Sequence, residues 1–478
     1  DWSSDVCSSD LGLASEQFAI TNATFTYAEH RVYIQSGSKA NGSGAAAYGA
    51  SWTTSDVIGV AVDMDAGTLV FYKNNSSQGT AFSDLVSSGK TWFPLAASYG
   101  SGTFAGDFNF GQRPFSYTPP AGFKSLCTTN LPTPTIGATS TTTANKYMDV
   151  VTRAGNGGTY TNSSLSFQPD FGWIKCRSAS TNHVLIDAVR GVSQFLNSNT
   201  TAAEQNYAGF GITAFNSNGY TVVDNAAGGY GVNGSTGSPT YVDWLWNAGG
   251  STVTNTTGSI SAQVRANTTA GFAIITTSGA GGAGTIGHGL GAVPQFIMCL
   301  RRNTTADHYC YHQAIGNTDY LVLNTTAAKA TSSNMWNNTT PTSTVFSVGN
   351  TNNNSGDTYV HYVFAPVAGY SAFGSYTGNG SADGPMIFTG HLPRWILIKS
   401  TGGSLENWIL YDTARNTYNV AKNFLMASSA SAELSTRSID ILSNGFKIRD
   451  ADAKLNTSSE VYIYATFAES PFKYSNAR

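Results

Sequence analysis

The chain has 478 residues, which at ~150 residues per domain suggests roughly three domains and argues against one shared core. Charged residues make up 11% of it and the formal net charge is -3. Its Lys and Arg are scattered singly, so there is no counterion-release drive toward nucleic acid. No run of 18 apolar residues occurs, which excludes insertion of a transmembrane helix.

In chain order, the string Asp1-Trp2-Ser3-Ser4-Asp5-Val6-Cys7-Ser8-Ser9-Asp10-Leu11 matches one reading frame of a common sequencing adapter. Residues 1–11 are therefore expected to be adapter-derived and non-native, and the lack of a signal peptide carries no information. The remainder holds 51 Gly, 24 Tyr and 25 Phe among abundant Asn, Ser and Thr, the composition of short aromatic strands joined by polar turns. That predicts an all-β fold.

Residues 52–126 carry motifs in a recognisable order. Asp56-Val57-Ile58-Gly59-Val60-Ala61-Val62-Asp63 leads through Met64-Asp65-Ala66-Gly67 to Thr68-Leu69-Val70-Phe71-Tyr72-Lys73, two alternating strands about a turn. Trp92-Phe93-Pro94-Leu95, Phe108-Asn109-Phe110-Gly111 and Pro114-Phe115-Ser116-Tyr117 follow. With these motifs the segment resembles a SPRY domain, which implies a concanavalin-like β-sandwich over residues 12–126. The opening strands of that sandwich are missing, so an unpaired sheet edge is expected. Residues 127–146, with Pro132, Pro134 and a Thr/Ser run, read as a linker.

The rest contains an internal repeat with five ordered signatures. The first signature is a Pro-led strand, at Pro169-Asp170-Phe171-Gly172-Trp173, Pro294-Gln295-Phe296-Ile297-Met298 and Pro393-Arg394-Trp395-Ile396-Leu397. A second strand follows at His183 to Asp187, Tyr309 to Gln313 and Trp408 to Asp412. Then come a polar stretch at Asn199, Asn324 and Ser428, and a hinge at Asn218-Gly219 and Asn444-Gly445, with Thr344-Val345-Phe346 in its place in the middle copy. Closing strands run from Tyr241, Tyr359 and Tyr462. Units of about 100 residues are too long for solenoid repeats, so each copy is predicted to be a β-sandwich or jelly-roll-like domain with its own core. The copies span 147–248, 271–369 and 370–478, and 249–270 is a linker with one added strand. This region is similar to an uncharacterised domain of marine phage structural proteins, through Gly287-His288-Gly289-Leu290-Gly291, Tyr376-Thr377-Gly378-Asn379-Gly380 and Phe467-Ala468-Glu469-Ser470-Pro471.

The resemblance implies a non-enzymatic virion component, a tail fibre or other appendage, that contacts other virion proteins and a host-surface glycan or protein. A secreted, extracellular bacterial lectin-like adhesin and a polysaccharide depolymerase are the alternatives. Trimerisation or another homo-oligomer would suit a fibre, though no coiled-coil heptads occur.

No residue set is expected to be catalytic, metal-binding or cofactor-binding, and the binding residues are not assigned. Asp63-Met64-Asp65-Ala66-Gly67 begins like a calcium loop, but Asn74 stands where the twelfth-position carboxylate belongs. Gly279 to Gly284 lacks the Lys and helix of a phosphate cradle. His288 is read as a turn or exposed residue. His308, Cys310 and His312 share one strand face and form the best metal-like set, yet the third copy reads Asn407, Ile409 and Tyr411 at the aligned positions, so a packed strand is preferred. Asp187 and Asp412 recur while the middle copy offers Gln313, which fits a turn hydrogen bond better than the paired carboxylates of a glycosidase. The sequons at Asn162, Asn199, Asn303 and Asn379 mark polar loops. Cys127, Cys176, Cys299 and Cys310 show no C-x-x-C and are expected to be reduced and mostly buried.

Overall fold

A computed structural model describes residues 2–3, 9–15, 30–42, 44–88, 90–98, 106–224, 231–403 and 406–476. The chain divides into two compact units, Asp1–Pro132 and Thr133–Arg478. Both are built from antiparallel strands, as the composition predicts.

Two five-stranded sheets form the first unit. One contains the hairpin Val57–Asp63 and Thr68–Lys73, whose turn is held by Asp63 Oδ1 accepting from the amides of Asp65 and Ala66, both at 2.9 Å. Gly67 closes that turn at φ +70°, which an L side chain rarely adopts. In the other sheet Ser9–Ser15 lies between His30–Ile34, the central strand, and Trp92–Ser98 at the edge. Leu11, Leu13, Tyr33, Trp52, Ile58, Leu69 and Phe71 fill the space between the sheets. Ser9–Ser15 thus begins inside the segment read as adapter-derived, and its alternation puts Leu11 and Leu13 on one buried face. Residues 1 and 4–8 of that segment lie outside the described residues.

The second unit departs from three separate domains. Each copy has a large sheet with the same internal order: opening strand, closing strand, Pro-led strand, following strand. In copy one these are Met148–Ala154, Thr240–Trp246, Phe171–Cys176 and Val184–Asp187. Copy two uses Phe272–Ser278, Thr358–Phe364, Phe296–Arg301 and Tyr309–His312, and copy three Ser371–Thr377, Val461–Pro471, His391–Ser400 and Ile409–Asp412. A small sheet covers one face of each and encloses a private core, for instance Ile174, Ile212, Tyr220 and Leu245 in copy one. The opposite face is equally apolar. Trp173, Trp244 and Trp246 of copy one join Phe296, Met298 and Phe364 of copy two and Trp395, Leu397 and Phe467 of copy three in a single central core.

Ring contacts tie all three copies there: Phe171 to Tyr362 at 4.3 Å, Trp246 to Trp395 at 5.5 Å and Phe364 to Phe467 at 5.6 Å between centroids. Such pairs contribute about 0.5–1.5 kcal/mol each beyond area burial. Private cores exist, as the repeat length suggests, but they are half of the packing.

Three further details differ from the sequence reading. Ile136 and Ala144 are buried in the central core, so the second half of the 127–146 linker belongs to the second unit. Residues 249–270 add two strands, Val253–Asn255 and Ala262–Asn267, which extend the large sheet of copy two to eight. In copy two a helical turn, Ser333–Trp336, stands where the other copies have a small-sheet strand, leaving that sheet with two strands.

Because the copies share one core, calorimetry of the intact chain should show residues 133–478 melting in one transition, and Phe364→Ala should lower the stability of all three copies together by about 3–5 kcal/mol. Separate melting of the copies would contradict a common core.

Candidate functional site

An apolar cavity of about 230 Å³ opens in the first unit. Its wall takes consecutive residues from both faces of one strand, Gly59, Val60, Ala61 and Val62, which places the opening along that strand's edge. Val57 exchanges hydrogen bonds with Asn74 on the hairpin side, so by alternation Val60 and Val62 direct their backbone groups to the other side. There Trp2–Ser3 covers only Val57 and Ile58, and no described strand covers the remainder. Gly59 to Val62 thus form one wall of the cavity.

The opposite wall comes from the segment after Asp107–Phe108. Asn109 is buried and anchors it, its Nδ2 donating to Pro114 O at 3.2 Å and its Oδ1 accepting from the Gly111 amide at 3.0 Å. That anchoring presents Phe110, Phe115, Tyr117 and Leu126 toward the opening, the last two exposed. Among the described residues Lys124 is the one charged residue in the wall, and none of them brings a carboxylate, imidazole or thiol to it. Such a wall can hold an apolar group but supplies no acid–base pair.

In the second unit the residues singled out from sequence are engaged in holding copies together. Asp187 accepts from the amides of Val189 and Arg190 through Oδ1, and from Arg190 Nε at 2.5 Å and the Tyr362 hydroxyl at 2.9 Å through Oδ2. Asp412 repeats this with Arg415, and Trp244 Nε1 donates to it at 2.9 Å. The middle-copy equivalent is His312, not Gln313: strand pairing sets Phe171 opposite Asp187, Phe296 opposite His312 and Trp395 opposite Asp412. The sequence alignment was one residue out, because the Tyr309-Cys310-Tyr311 run fits either register by hydropathy. It follows that His308 aligns with His183 and Trp408, and Cys310 with Leu410.

His308, Cys310 and His312 do share a face, the one toward the central core. Their polar atoms diverge, however. His308 Nε2 meets Asn197 O at 2.9 Å and His312 Nε2 meets Tyr464 O at 3.1 Å, in different copies. Among the described residues no group of three His, Cys, Asp or Glu is arranged to hold a metal. His288 is buried rather than exposed, with Nδ1 accepting from Leu290 N and Nε2 against Thr342 O at 3.1 Å. The Gly279–Gly284 loop has its amides occupied: Gly279 N donates to Asp357 O, Ala280 N to Asn353 Oδ1 and Gly281 N to Asn353 O. Asn162 is buried at a strand end, unlike the polar loop expected of it, whereas Asn303 is exposed. Cys176, Cys299 and Cys310 are buried free thiols and Cys127 is partly exposed, in line with the sequence.

Two features escaped the sequence reading. Arg153 is buried in the private core of copy one between the rings of Tyr160 and Tyr241, with Nε on Asp243 at 2.6 Å and Nη1 on Asn233 at 2.8 Å; the Tyr220 hydroxyl also donates to Asp243. The partners are 80 and 90 residues away, so no local pattern announces them. Lys175 and Lys399 are buried at equivalent positions, their ammonium groups bonded only to carbonyls: Cys176 and Ala179 for the first, Thr326 and Glu406 for the second. Burial pushes both down to about 8.

The fold is that of a β-sandwich followed by a unit of three β-sheet repeats. The chain belongs to the family described as Domain of unknown function (DUF7483), whose model matches residues 143–471, and residues 7–113 match the SPRY domain. It is also similar to the E3 ubiquitin-protein ligase RKP of Arabidopsis thaliana, 38% identical over 81 residues. That stretch is 16% of this chain and 6% of the relative, so the likeness covers one domain.

Two measurements check these assignments. Asp243→Asn should cost about 3–5 kcal/mol by leaving the Arg153 charge buried and unpaired, read as a fall in denaturation midpoint. For the lysines, the unfolded chain holds more protons than the folded one between about pH 8 and the ordinary 10.5, so stability should rise with pH across that window. The double variant Lys175→Met, Lys399→Met should flatten that rise.

Proposed function

We propose that this protein is a non-catalytic structural and recognition component of a virion appendage, in which the second unit is a rigid scaffold and the cavity of the first unit engages a protein on the host surface. The observation that carries the recognition is the apolar cavity between Gly59 to Val62 and the aromatic segment that follows Asn109. Its aliphatic and aromatic walls, with Val60, Val62, Phe110, Phe115 and Phe123, accept the apolar side chains of a protein segment. Apolar surface outweighs the polar side chains Asn75, Thr118, Lys124 and Ser125 in this wall, so of the two ligands a protein is favoured over a glycan. The virion assignment rests on the resemblance to phage structural domains read from the sequence of residues 147–478, and a second unit whose buried polar groups serve cohesion is in keeping with it.

Immunogold labelling of intact phage particles with antibody to the second unit is expected to decorate the appendages; unlabelled particles would overturn the virion assignment. For recognition, Tyr117→Ala combined with Leu126→Asp, both at exposed positions, should reduce binding of the protein to host-envelope protein extracts at least about tenfold with little change in melting temperature. Undiminished binding by the double variant, or binding of purified glycans with release of reducing ends, would exclude this reading.

A further inference from the structure

Each interface between copies contains one histidine whose Nε2–H donates to a backbone carbonyl of the neighbouring copy. His183 reaches Met426 O of copy three at 3.0 Å, His308 reaches Asn197 O of copy one at 2.9 Å, and His312 reaches Tyr464 O of copy three at 3.1 Å. All three rings are buried. The neutral tautomer is enforced by what meets the other nitrogen. Trp173 Nε1, which can only donate, points at Nδ1 of His183 at 2.9 Å, and the Ala314 amide points at Nδ1 of His312 at 3.2 Å. A proton added to either Nδ1 would set two N–H groups head to head.

We infer that these three histidines form an acid-sensitive latch: a buried imidazolium is not accommodated at these sites, so protonation drives the rings toward water, and their withdrawal from the carbonyls parts the copies around the central core while each private core persists. The surroundings give little compensation. Around His183 the charged groups are Lys175 and Arg415, both cations, and the nearby Asp412 is held by Arg415 and Trp244. Near His308 the one carboxylate acting on it is Asp307, itself hydrogen-bonded by Asn324. Among the described residues no charged group acts on His312; its ring meets Phe296, and Phe373 of copy three packs on Phe296 in turn. Burial accordingly lowers His308 and His312 to about 4, and His183 well below the ordinary 6.5. The folded form binds fewer protons than an opened one between about 4 and 6.5, so cohesion is lost as pH falls through that window.

The molecule contains its own comparison. At the position of His183 and His308, copy three has Trp408, whose Nε1 donates to Val322 O at 2.9 Å and does not titrate. The other buried histidines of the second unit bond within one copy: His288 to Thr342, His361 to Thr277 and His391 to Thr466. The test is an acid titration of the full chain from about pH 7.5 to about pH 4, following near-UV ellipticity and tryptophan emission, since five of the nine tryptophans lie in the central core. The expected result is loss of the aromatic signal with the sheet signal retained. The triple variant His183→Gln, His308→Gln, His312→Gln, which keeps donors without titration, should move the midpoint down by at least about half a pH unit. The matched set His288→Gln, His361→Gln, His391→Gln should leave it in place. An aromatic signal unchanged to about pH 4, or an equal shift in the matched set, would overturn the latch. Hydrogen exchange of the wild type at about pH 5, corrected for intrinsic rates, tests it without any variant: faster exchange confined to residues 196–200, 424–428 and 462–467 supports it, and uniform acceleration refutes it.

Discussion

Everything in the second unit depends on the large sheets being apolar on both faces. A half-exposed antiparallel sheet normally alternates apolar with polar residues. Here the closing strands do not: Tyr241, Val242, Trp244, Leu245 and Trp246 are all buried, as are Tyr359, Val360, Tyr362, Val363 and Phe364. One copy alone would present its second face to water, an exposed patch of Trp and Phe. Three such faces meeting edge to edge bury one another, and closure into a ring of three follows from that requirement.

Polar contacts then fix how the ring closes. The position held by Asp187, His312 and Asp412 always bonds the closing strand of the next copy, at Tyr362, Tyr464 and Trp244. A backbone bond recurs at each interface, from Glu204 to Arg302, Lys329 to Thr401 and Glu433 to Arg177. The side chains beside it are not interchangeable. Glu204 bridges Arg190 and Arg302, and Glu433 bridges Arg415 and Arg177, whereas Lys329 pairs with Asp319 of its own copy. Placed in another slot, Lys329 would face Arg177 or Arg302. Charge thus discriminates among the orders in which similar copies could assemble.

How much of this was legible follows from the range of the determining contacts. Period-two alternation and turn residues announced the hairpin of the first unit, and five signatures announced the threefold repeat, because those are local patterns. The shared core was hidden for a physical reason: a strand apolar on both faces reads the same whether its second face meets a sheet of its own or a neighbouring copy. The Tyr309-Cys310-Tyr311 register was ambiguous for a related reason, since only the strand opposite decides which neighbour of Phe296 is His312. The cavity could not be read either, because Gly59 and Leu126 come together only through the path of the segment anchored by Asn109.

The two faces of the large sheet have also been free to change to different degrees. Toward the centre, equivalent positions stay aromatic or aliphatic: Trp246, Phe364 and Phe467, or Val242, Val360 and Ile463. Toward the private cores they diverge in kind. Where copy one has Arg153, Tyr220 and Asp243, copy two has Thr277, Phe346 and His361, and copy three has Tyr376, Phe446 and Tyr464. A change on the central face alters three copies at once, whereas a change inside a sandwich is felt by one. The closed ring therefore confines its constraint to the axis and leaves each sandwich interior, with the loops it supports, as the place where the copies can acquire separate chemistry.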